Sequence, residues 1–478
     1  MQMIIDGIHV DSSDNKTIDI YNSATMEFIT TVPSATEQDV NRAIEAAQVG
    51  QVAWGDLPQY KRSAILQKCA FAIEANLKEL SESLTGEMGK IISEARPEIA
   101  VSAQIFRGYA EMANHKYGHT MSDYQNGSET DIIFTRHEPI GVVACISPFN
   151  YPVELCSQKM AAALAVGNSV IIKPATDNPL TLIKVVELCH EAGVPGNVLQ
   201  IVTGRGSVIG ELLSKDPRID AISLTGSTEV GISVMKNAAD TIKAVFLELG
   251  GNDPFVVFED ADMELAVREA ASGRVKNAGQ TCCSPKRFIV HNSVKAEFVA
   301  GVKAYLENLR LGSPFDETVE LGSLINENAA KDVKKQVDST IALGAKLVCG
   351  GSIYDRTYFE PTILDDVTLD MPIATTMECF GPVLPVLGFD TFEEAIEIAN
   401  KTPFGLQGGV ISRDMSLAIR AASKIKVGAV VINGSGNYRN CDQPFGGVKM
   451  SGLGREGICC TLDEMTQEKS YILKNVLI

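Results

Sequence analysis

GVVACISP (141–148), NSVIIKP (168–174), NVLQIVTG (197–204), AISLTG (221–226) and AVFLELGG (244–251) are short, apolar, β-branched runs separated by segments that read as helix. Their spacing of roughly 20–30 residues suits a crossover connection between parallel strands, which no hairpin provides. The stretch 141–251 therefore predicts a parallel, dinucleotide-type sheet built from βαβ units.

Working outward, the residues from Glu37 to about Ala113 show apolar positions at three- and four-residue spacing, as in DVNRAIEAAQVGQVAW and RSAILQKCAFAIEANLKELSESL. Three or more amphipathic helices are expected there. The polar HTMSDYQNGSET (119–130) carries an Asn-Gly turn, and DIIFTRHEPIG (131–141) alternates like an exposed antiparallel strand, an excursion from the main body. Beyond Gly251, DPFVVF, RFIVH and KLVCGG alternate with helices such as VKAEFVAGVKAYLENL, so a second α/β domain begins near that glycine. EKSYILKNVLI (468–478) reads as a final strand.

A chain of 478 residues exceeds what one core supports, so more than one domain is expected. The net charge of -18 repels polyanions and excludes a nucleic-acid or anionic-lipid footprint. An anionic cofactor would need local help from backbone N–H groups, a helix N-terminus or a placed lysine. Neither a targeting segment nor a membrane span is read, and eleven cysteines without regular spacing fit a reducing cytoplasm. Cys69, Cys145, Cys156, Cys189, Cys349, Cys459 and Cys460 are expected to be small buried apolar residues.

Three segments carry chemistry. In GRVKNAGQTCCSPKRF, Cys282 follows Gly279-Gln280-Thr281, a small, polar approach with room for a substrate. The ordinary role of such a cysteine is inert burial, and its neighbours alone do not raise it above that. In VFLELGGNDP, Glu248 ends an apolar strand where sites in open sheets gather, which suits a general base as well as a solvated strand-end acid. In CISPFNYPVELCSQKMAAALAVGNSVIIKPAT, Asn150 stands where a strand gives way to a helix. Its amide can donate to an oxyanion, or simply close an Asx turn.

Together these segments, with SLTGSTEVG, MECFGPVLPV, NKTPFGLQGGV and QPFGGVKMSGLGREG in the same order, closely resemble the aldehyde dehydrogenase superfamily over almost the whole chain. The resemblance implies an α/β protein with a Rossmann-like dinucleotide-binding domain (1–119 and 139–250) and an α/β catalytic domain (251–448). A small β oligomerisation arm (120–138 and 464–478) completes it, making a homodimer or homotetramer. It implies Cys282 as the nucleophile, Asn150 with the Cys282 N–H as oxyanion donors, and Glu248 as the base that hydrolyses the thioester. Members that pass the acyl group to coenzyme A commonly lack an acid at the Glu248 position, so hydrolysis is favoured. No metal is implied.

The same resemblance places Lys173 at the adenosine ribose, Gly226 and Ser227 at the pyrophosphate, and Glu378 with Phe380 at the nicotinamide end. Thr176 stands where many NAD-preferring members have Glu, so NADP is expected to be accepted beside NAD, although Asp177 can restore the charge. For substrate, the small aldehyde first implied is succinate semialdehyde, with Arg287 in the place of an arginine that reads its distal carboxylate. Gln158 departs from the second such arginine. Alternatives are a non-phosphorylating glyceraldehyde-3-phosphate dehydrogenase, from which Thr281 departs, or another small-aldehyde dehydrogenase. From other classes come a cysteine hydrolase using His291 and a non-catalytic binding or structural protein on the same fold. Cys283 is expected to point away from the nucleophile, since adjacent cysteines rarely bridge without strain.

Overall fold

The computed structural model describes residues 1–122 and 125–476; the parts of the expected arm at 123–124 and 477–478 lie outside the described residues. Among the described residues the chain passes from one large sheet to a second at Leu249–Asn252 and returns to the first for one short strand, Gly452–Leu453. The first runs in the order Ile8–Val10, Met3–Ile5, Leu199–Ile201, Ser169–Lys173, Val142–Ile146, Ala221–Thr225, Ala244–Glu248, Gly452–Leu453. Its five central strands are the five runs within 141–251, and all are mutually parallel.

These strands are apolar throughout because both faces are covered. Val143, Cys145, Val170 and Ile172 pack into one core, while Val142, Ala144, Ile146 and Ile171 pack into another on the opposite face. Period-two alternation is thus present between two cores rather than between core and water. The four helices Glu37–Asp56, Gln59–Ala75, Leu77–Met88 and Ile92–Met112 realise the periodic segment before Ala113. The first begins at a capping box in which Thr36 and Asp39 bond reciprocally, and it buries Val40, Ala43, Ile44, Ala47 and Trp54 along one stripe.

From Val142–Ile146 the chain moves outward to Ser169–Lys173 and Leu199–Ile201, then returns across the sheet to Ala221–Thr225. The strand order therefore reverses between Val142–Ile146 and Ala221–Thr225, and the crevice at their carboxyl ends is where ligands of open sheets bind. The second sheet runs Lys346–Cys349, Thr362–Asp365, Val383–Phe389, Pro285–His291, Asp253–Val257, Gln407–Ile411, Ala429–Ile432. It is parallel except at the Lys346–Cys349 edge. Only Leu249–Asn252 joins the end of one sheet's strand at Glu248 to the start of the other's at Asp253, so functional loops from both converge there.

The excursion forms a separate antiparallel sheet, Thr466–Leu473 against Ile132–Pro139 against Thr120–Met121. Two features differ from the sequence reading. Four short strands precede the helices, including a hairpin in which Asp6 (φ 56°) and Gly7 (φ 71°) make the two-residue turn. Cys459 is exposed and Cys349 and Cys460 are half-buried, unlike the fully buried Cys69, Cys145, Cys156 and Cys189. The Cys459–Cys460 pair lies in a turn ahead of a short terminal helix, where no core covers it.

Candidate active site

A cleft of about 380 Å³ opens at the strand-order reversal, between the carboxyl ends of the first sheet and the strand starts of the second. Its wall brings together Cys282, Asn150, Gly226, Ser227, Glu378 and Phe380, residues far apart in sequence. Ala175 also lines it, with Lys173 and Thr176 on either side in the chain. Glu248 and Arg287 are not on this wall.

The loop that presents Cys282 is held in an unusual backbone conformation. Asn277 (φ 51°), Ala278 (φ 53°) and Gly279 (φ 78°) are all left-handed, and a Cβ on Gly279 would collide with the backbone of Gly381. Left-handed non-glycine residues each cost on the order of 1 kcal/mol or more, so surrounding bonds must enforce them. Those bonds are present: Glu94 accepts from Asn277 N (2.9 Å), and Asn277 Nδ2 donates to Asn150 O (3.0 Å) and Gln280 O (3.2 Å). Gln280 Oε1 accepts from Ile325 N (2.9 Å). Asn150 Nδ2 donates in turn to Gln280 O (3.0 Å), so oxyanion candidate and nucleophile loop are cross-tied.

The Cys282 thiol is pushed well above its ordinary value by the adjacent Cys283 sulfur and by burial, while Lys286 and Arg439 pull the other way. Such a thiol needs a base or an approaching charge to ionise. Cys283 is buried, does not line the cleft, and has its sulfur 3.9 Å from Asn437 Oδ1. Lys286 Nζ donates to Cys282 O and lies 3.3 Å from Glu378 Oε1, tying the nucleophile loop to the Glu378 carboxylate.

Glu248 ends its strand as expected, but its carboxyl is turned away from the cleft. Oε2 is buried without a partner, and Oε1 lies against Gly446. Burial, then the charge of Glu456, hold this carboxyl well above the usual range, against the pull of Lys159 and Arg439. Beside it, the buried Lys159 Nζ donates to Glu456 Oε2 (2.7 Å), and Arg439 Nη2 donates to Glu456 Oε1. Sequence reasoning missed Lys159, Glu456 and Arg439. A lysine directly before the unbroken apolar run Met160–Val166 of the helix Pro152–Val166 was the available signal.

The cofactor candidates surround the rest of the cleft. Ser227 caps the helix Thr228–Ala238, accepting from Val230 N, and leaves the first N–H groups of that helix at the crevice. Lys173 is buried, and its ammonium is held down to about 8 by burial despite help from Asp177. A buried cation with this deficit accommodates a negatively charged neighbour. Thr176 Oγ1 donates to Gly204 O (3.3 Å). Glu378 Oε1 accepts from Gly251 N (3.0 Å), and the Phe380 ring meets Phe149 edge-on at 5.9 Å. An anion-accepting helix start, a carboxylate and an aromatic wall in one cleft, with the buried Lys173 two residues before the lining Ala175, fit a dinucleotide.

Arg287 is not placed to read a substrate. It is fully buried, with Nε on Asn252 O (2.7 Å), Nη1 on Ile398 O (2.8 Å) and Nη2 on Ala399 O (2.8 Å), so it ties together carbonyls of the second sheet's surroundings. Adjacent residues of a strand face opposite sides, and it is Lys286 that faces the site. Gln158 is likewise buried, accepting from Tyr109 Oη (2.7 Å). His291 lies at the far end of the strand that begins three residues after Cys282, against Phe389 and Glu259, which removes the base a cysteine hydrolase would need. Among the described residues no group of His, Cys, Asp and Glu is arranged to hold a metal ion, and no helix is long and apolar enough to cross a membrane.

With this geometry in hand, residues 9–471 match the model of the aldehyde dehydrogenase family. The chain is 38% identical over 457 residues to the succinate semialdehyde dehydrogenase of Acinetobacter baylyi, covering 95% of this chain and 93% of that one. It is 36% identical over 458 residues to the NADP(+) succinate-semialdehyde dehydrogenase GabD of Escherichia coli K12, covering 95% and 94%. It superposes with a TM-score of 0.96 on a Staphylococcus aureus betaine aldehyde dehydrogenase solved in complex with NAD+, at 34% identity over 99% of this chain and 97% of that one.

Proposed function

The chain belongs to the aldehyde dehydrogenase family and is an aldehyde-oxidising enzyme, and from that premise we propose that Cys282, Asn150 and Glu248 carry the chemistry. The observation that carries this reading is the meeting of Cys282 and Asn150 with Glu378, Phe380 and the Ser227 helix start in one cleft. The Cys282 sulfur attacks the aldehyde carbon, and its proton leaves to a base. The resulting oxyanion takes hydrogen bonds from Asn150 Nδ2 and the Cys282 N–H, worth about 100-fold or more in rate for a single donor. When bound, the oxidised nicotinamide supplies the hydride acceptor, so the adduct becomes a thioester on Cys282. Glu248, whose carboxyl rests against Gly446, must then turn about its side-chain bonds into the cleft to take a proton from water; the water attacks the acyl carbon, the carbon–sulfur bond breaks to return the Cys282 thiolate, and a carboxylic acid leaves.

Lys173, Gly226 and Ser227 would hold the adenosine and pyrophosphate end, and Glu378 and Phe380 the nicotinamide end. No carboxylate stands at Thr176 to repel a 2′-phosphate, and the buried Lys173 gains from added negative charge. Both dinucleotides are therefore accepted. The substrate we assign is succinate semialdehyde, in keeping with the activities named for the two bacterial relatives. A steady-state panel of aldehydes with NAD and NADP in parallel tests these assignments. The expected result is highest kcat/KM with succinate semialdehyde and turnover with NADP within about tenfold of NAD. Thr176→Glu should move preference toward NAD by about tenfold or more, since a like charge at roughly 4 Å costs about 1–4 kcal/mol in a wet site. Preference for glyceraldehyde 3-phosphate, or NAD favoured by several orders of magnitude, would overturn the corresponding assignment. No turnover with any aldehyde would turn the reading toward a non-catalytic protein.

We also infer that the arm joins copies of the chain into a dimer or tetramer. Among the described residues Thr466–Leu473 pairs on one side only, and Ile472, Leu473 and Val476 are exposed beside its free edge. An uncovered strand edge whose last residues are apolar invites pairing with another chain. Light scattering should return two or four times the 51.3 kDa chain mass; a stable monomer would refute the inference.

A further inference from the structure

The backbone around Asn150 is gripped from outside the cleft by a buried ion pair. Lys90 follows the helix Leu77–Met88, and Glu98 lies in the helix Ile92–Met112. Both side chains are fully buried and paired with each other. Lys90 Nζ also donates to Asn150 O (2.8 Å) and stands over the Tyr151 ring, 3.5 Å from its centroid. Glu98 Oε1 accepts from Val153 N (3.0 Å) and Glu154 N (3.4 Å). The pair thus holds the chain on both sides of Tyr151.

The local sequence explains why such a hold is needed. The helix Pro152–Val166 starts without a side-chain cap from its own N-cap residue, Tyr151. Its first free N–H groups are buried and would be orphaned, at a cost of about 1–3 kcal/mol each. Glu98 supplies the missing cap from a separate helix, and Lys90 neutralises Glu98 and takes the Asn150 carbonyl. A buried ion pair is a poor source of stability, because apolar replacements of similar volume are often neutral or stabilising. Its value here is geometric.

We propose that Lys90 and Glu98 are positioning residues for the oxyanion donor, fixing the backbone at 150–153 so that the Asn150 carboxamide stays aimed at the cleft. This rests on the reading of Asn150 as that donor. Neither residue lines the cleft; Lys90 acts through the Asn150 carbonyl and the Tyr151 ring, and Glu98 through the N–H groups of Val153 and Glu154. Misplacement of a donor by about 1 Å is enough to cost about 100-fold in rate.

A double-mutant cycle on the full-length enzyme tests this, with kcat/KM for the preferred aldehyde and dinucleotide affinity by fluorescence titration. Asn150→Ala is expected to lose at least 100-fold. Lys90→Met should lose about 10–100-fold alone, but under about twofold when Asn150 is already Ala, with dinucleotide affinity unchanged within about twofold. Glu98→Gln, which keeps the volume and one acceptor, carries the same cycle should Lys90→Met fail to fold. An equal loss in both backgrounds, a parallel loss of dinucleotide affinity, or wild-type kinetics for both single variants would overturn the proposal. Full activity of Asn150→Ala would instead remove the oxyanion reading beneath it, and the two failures are thereby told apart.

Discussion

Cys282→Ala is expected to abolish aldehyde oxidation, by about 10⁴-fold or more, while the protein still binds NAD and NADP with near-native affinity. The magnitude follows from the placement of the neighbouring thiol: contrary to the expectation that it points away, the Cys283 sulfur meets that of Cys282 as well as Asn437 Oδ1, but it is buried and does not line the cleft where the aldehyde must sit. Without a sulfur at 282 no thioester forms, and binding plus the oxyanion donors have nothing to stabilise. The loss is chemical rather than structural. Cys282 is only partly buried, and removing one sulfur costs about 1 kcal/mol, small against the stability of a domain. Cys283→Ala should keep most of the rate. Initial rates followed at 340 nm with both dinucleotides, beside a fluorescence titration, make the comparison. More than about 1% residual activity in Cys282→Ala would assign the nucleophile elsewhere.

The parallel sheet was legible because local pattern and tertiary role coincide in it. Runs such as GVVACISP and NSVIIKP are apolar at every position, and a strand covered by helices on both faces requires that. Cys282, Asn150, Glu378 and Phe380 were legible through the motifs around them, and the cleft wall gathers all four. The N-terminal hairpin was missed although IIDGIHV holds an Asp-Gly turn between short apolar runs, a signal within reach of sequence.

Arg287 shows where counting residues fails. Its distance in sequence from Cys282 does not encode which face of the strand Pro285–His291 it occupies, and the strand sends Lys286 to the site and Arg287 into the second sheet's interior. The long-range polar contacts were out of reach for a different reason. Lys159 and Glu456 are 297 positions apart, and Lys90 meets Asn150 across 60. A buried lysine is recognisable as unusual from sequence, but its partner is set by how helices and loops pack, which periodicity does not encode.

Glu248→Gln is expected to separate the two halves of the reaction. Acylation of Cys282 should proceed, giving a burst of reduced dinucleotide near one equivalent per chain, after which steady turnover falls by about 10²–10⁴-fold. KM should fall with kcat, because slow deacylation lets the acyl-enzyme accumulate at low substrate. The pH dependence follows from the surroundings of the carboxyl. Burial and the charge of Glu456 hold Glu248 above the ordinary carboxylate value, so it is protonated to a higher pH than a free acid and its basic form appears as pH rises. Deacylation in the native enzyme should therefore climb with pH beyond the usual carboxyl range, whereas in Glu248→Gln that limb should vanish. Stability should change little, since Oε2 has no partner to lose in the native protein. Stopped-flow absorbance at 340 nm across a pH series reads burst and steady rate together. A lost burst would place Glu248 at thiol activation instead of hydrolysis, and an unchanged steady rate with the native pH limb would remove it from the mechanism.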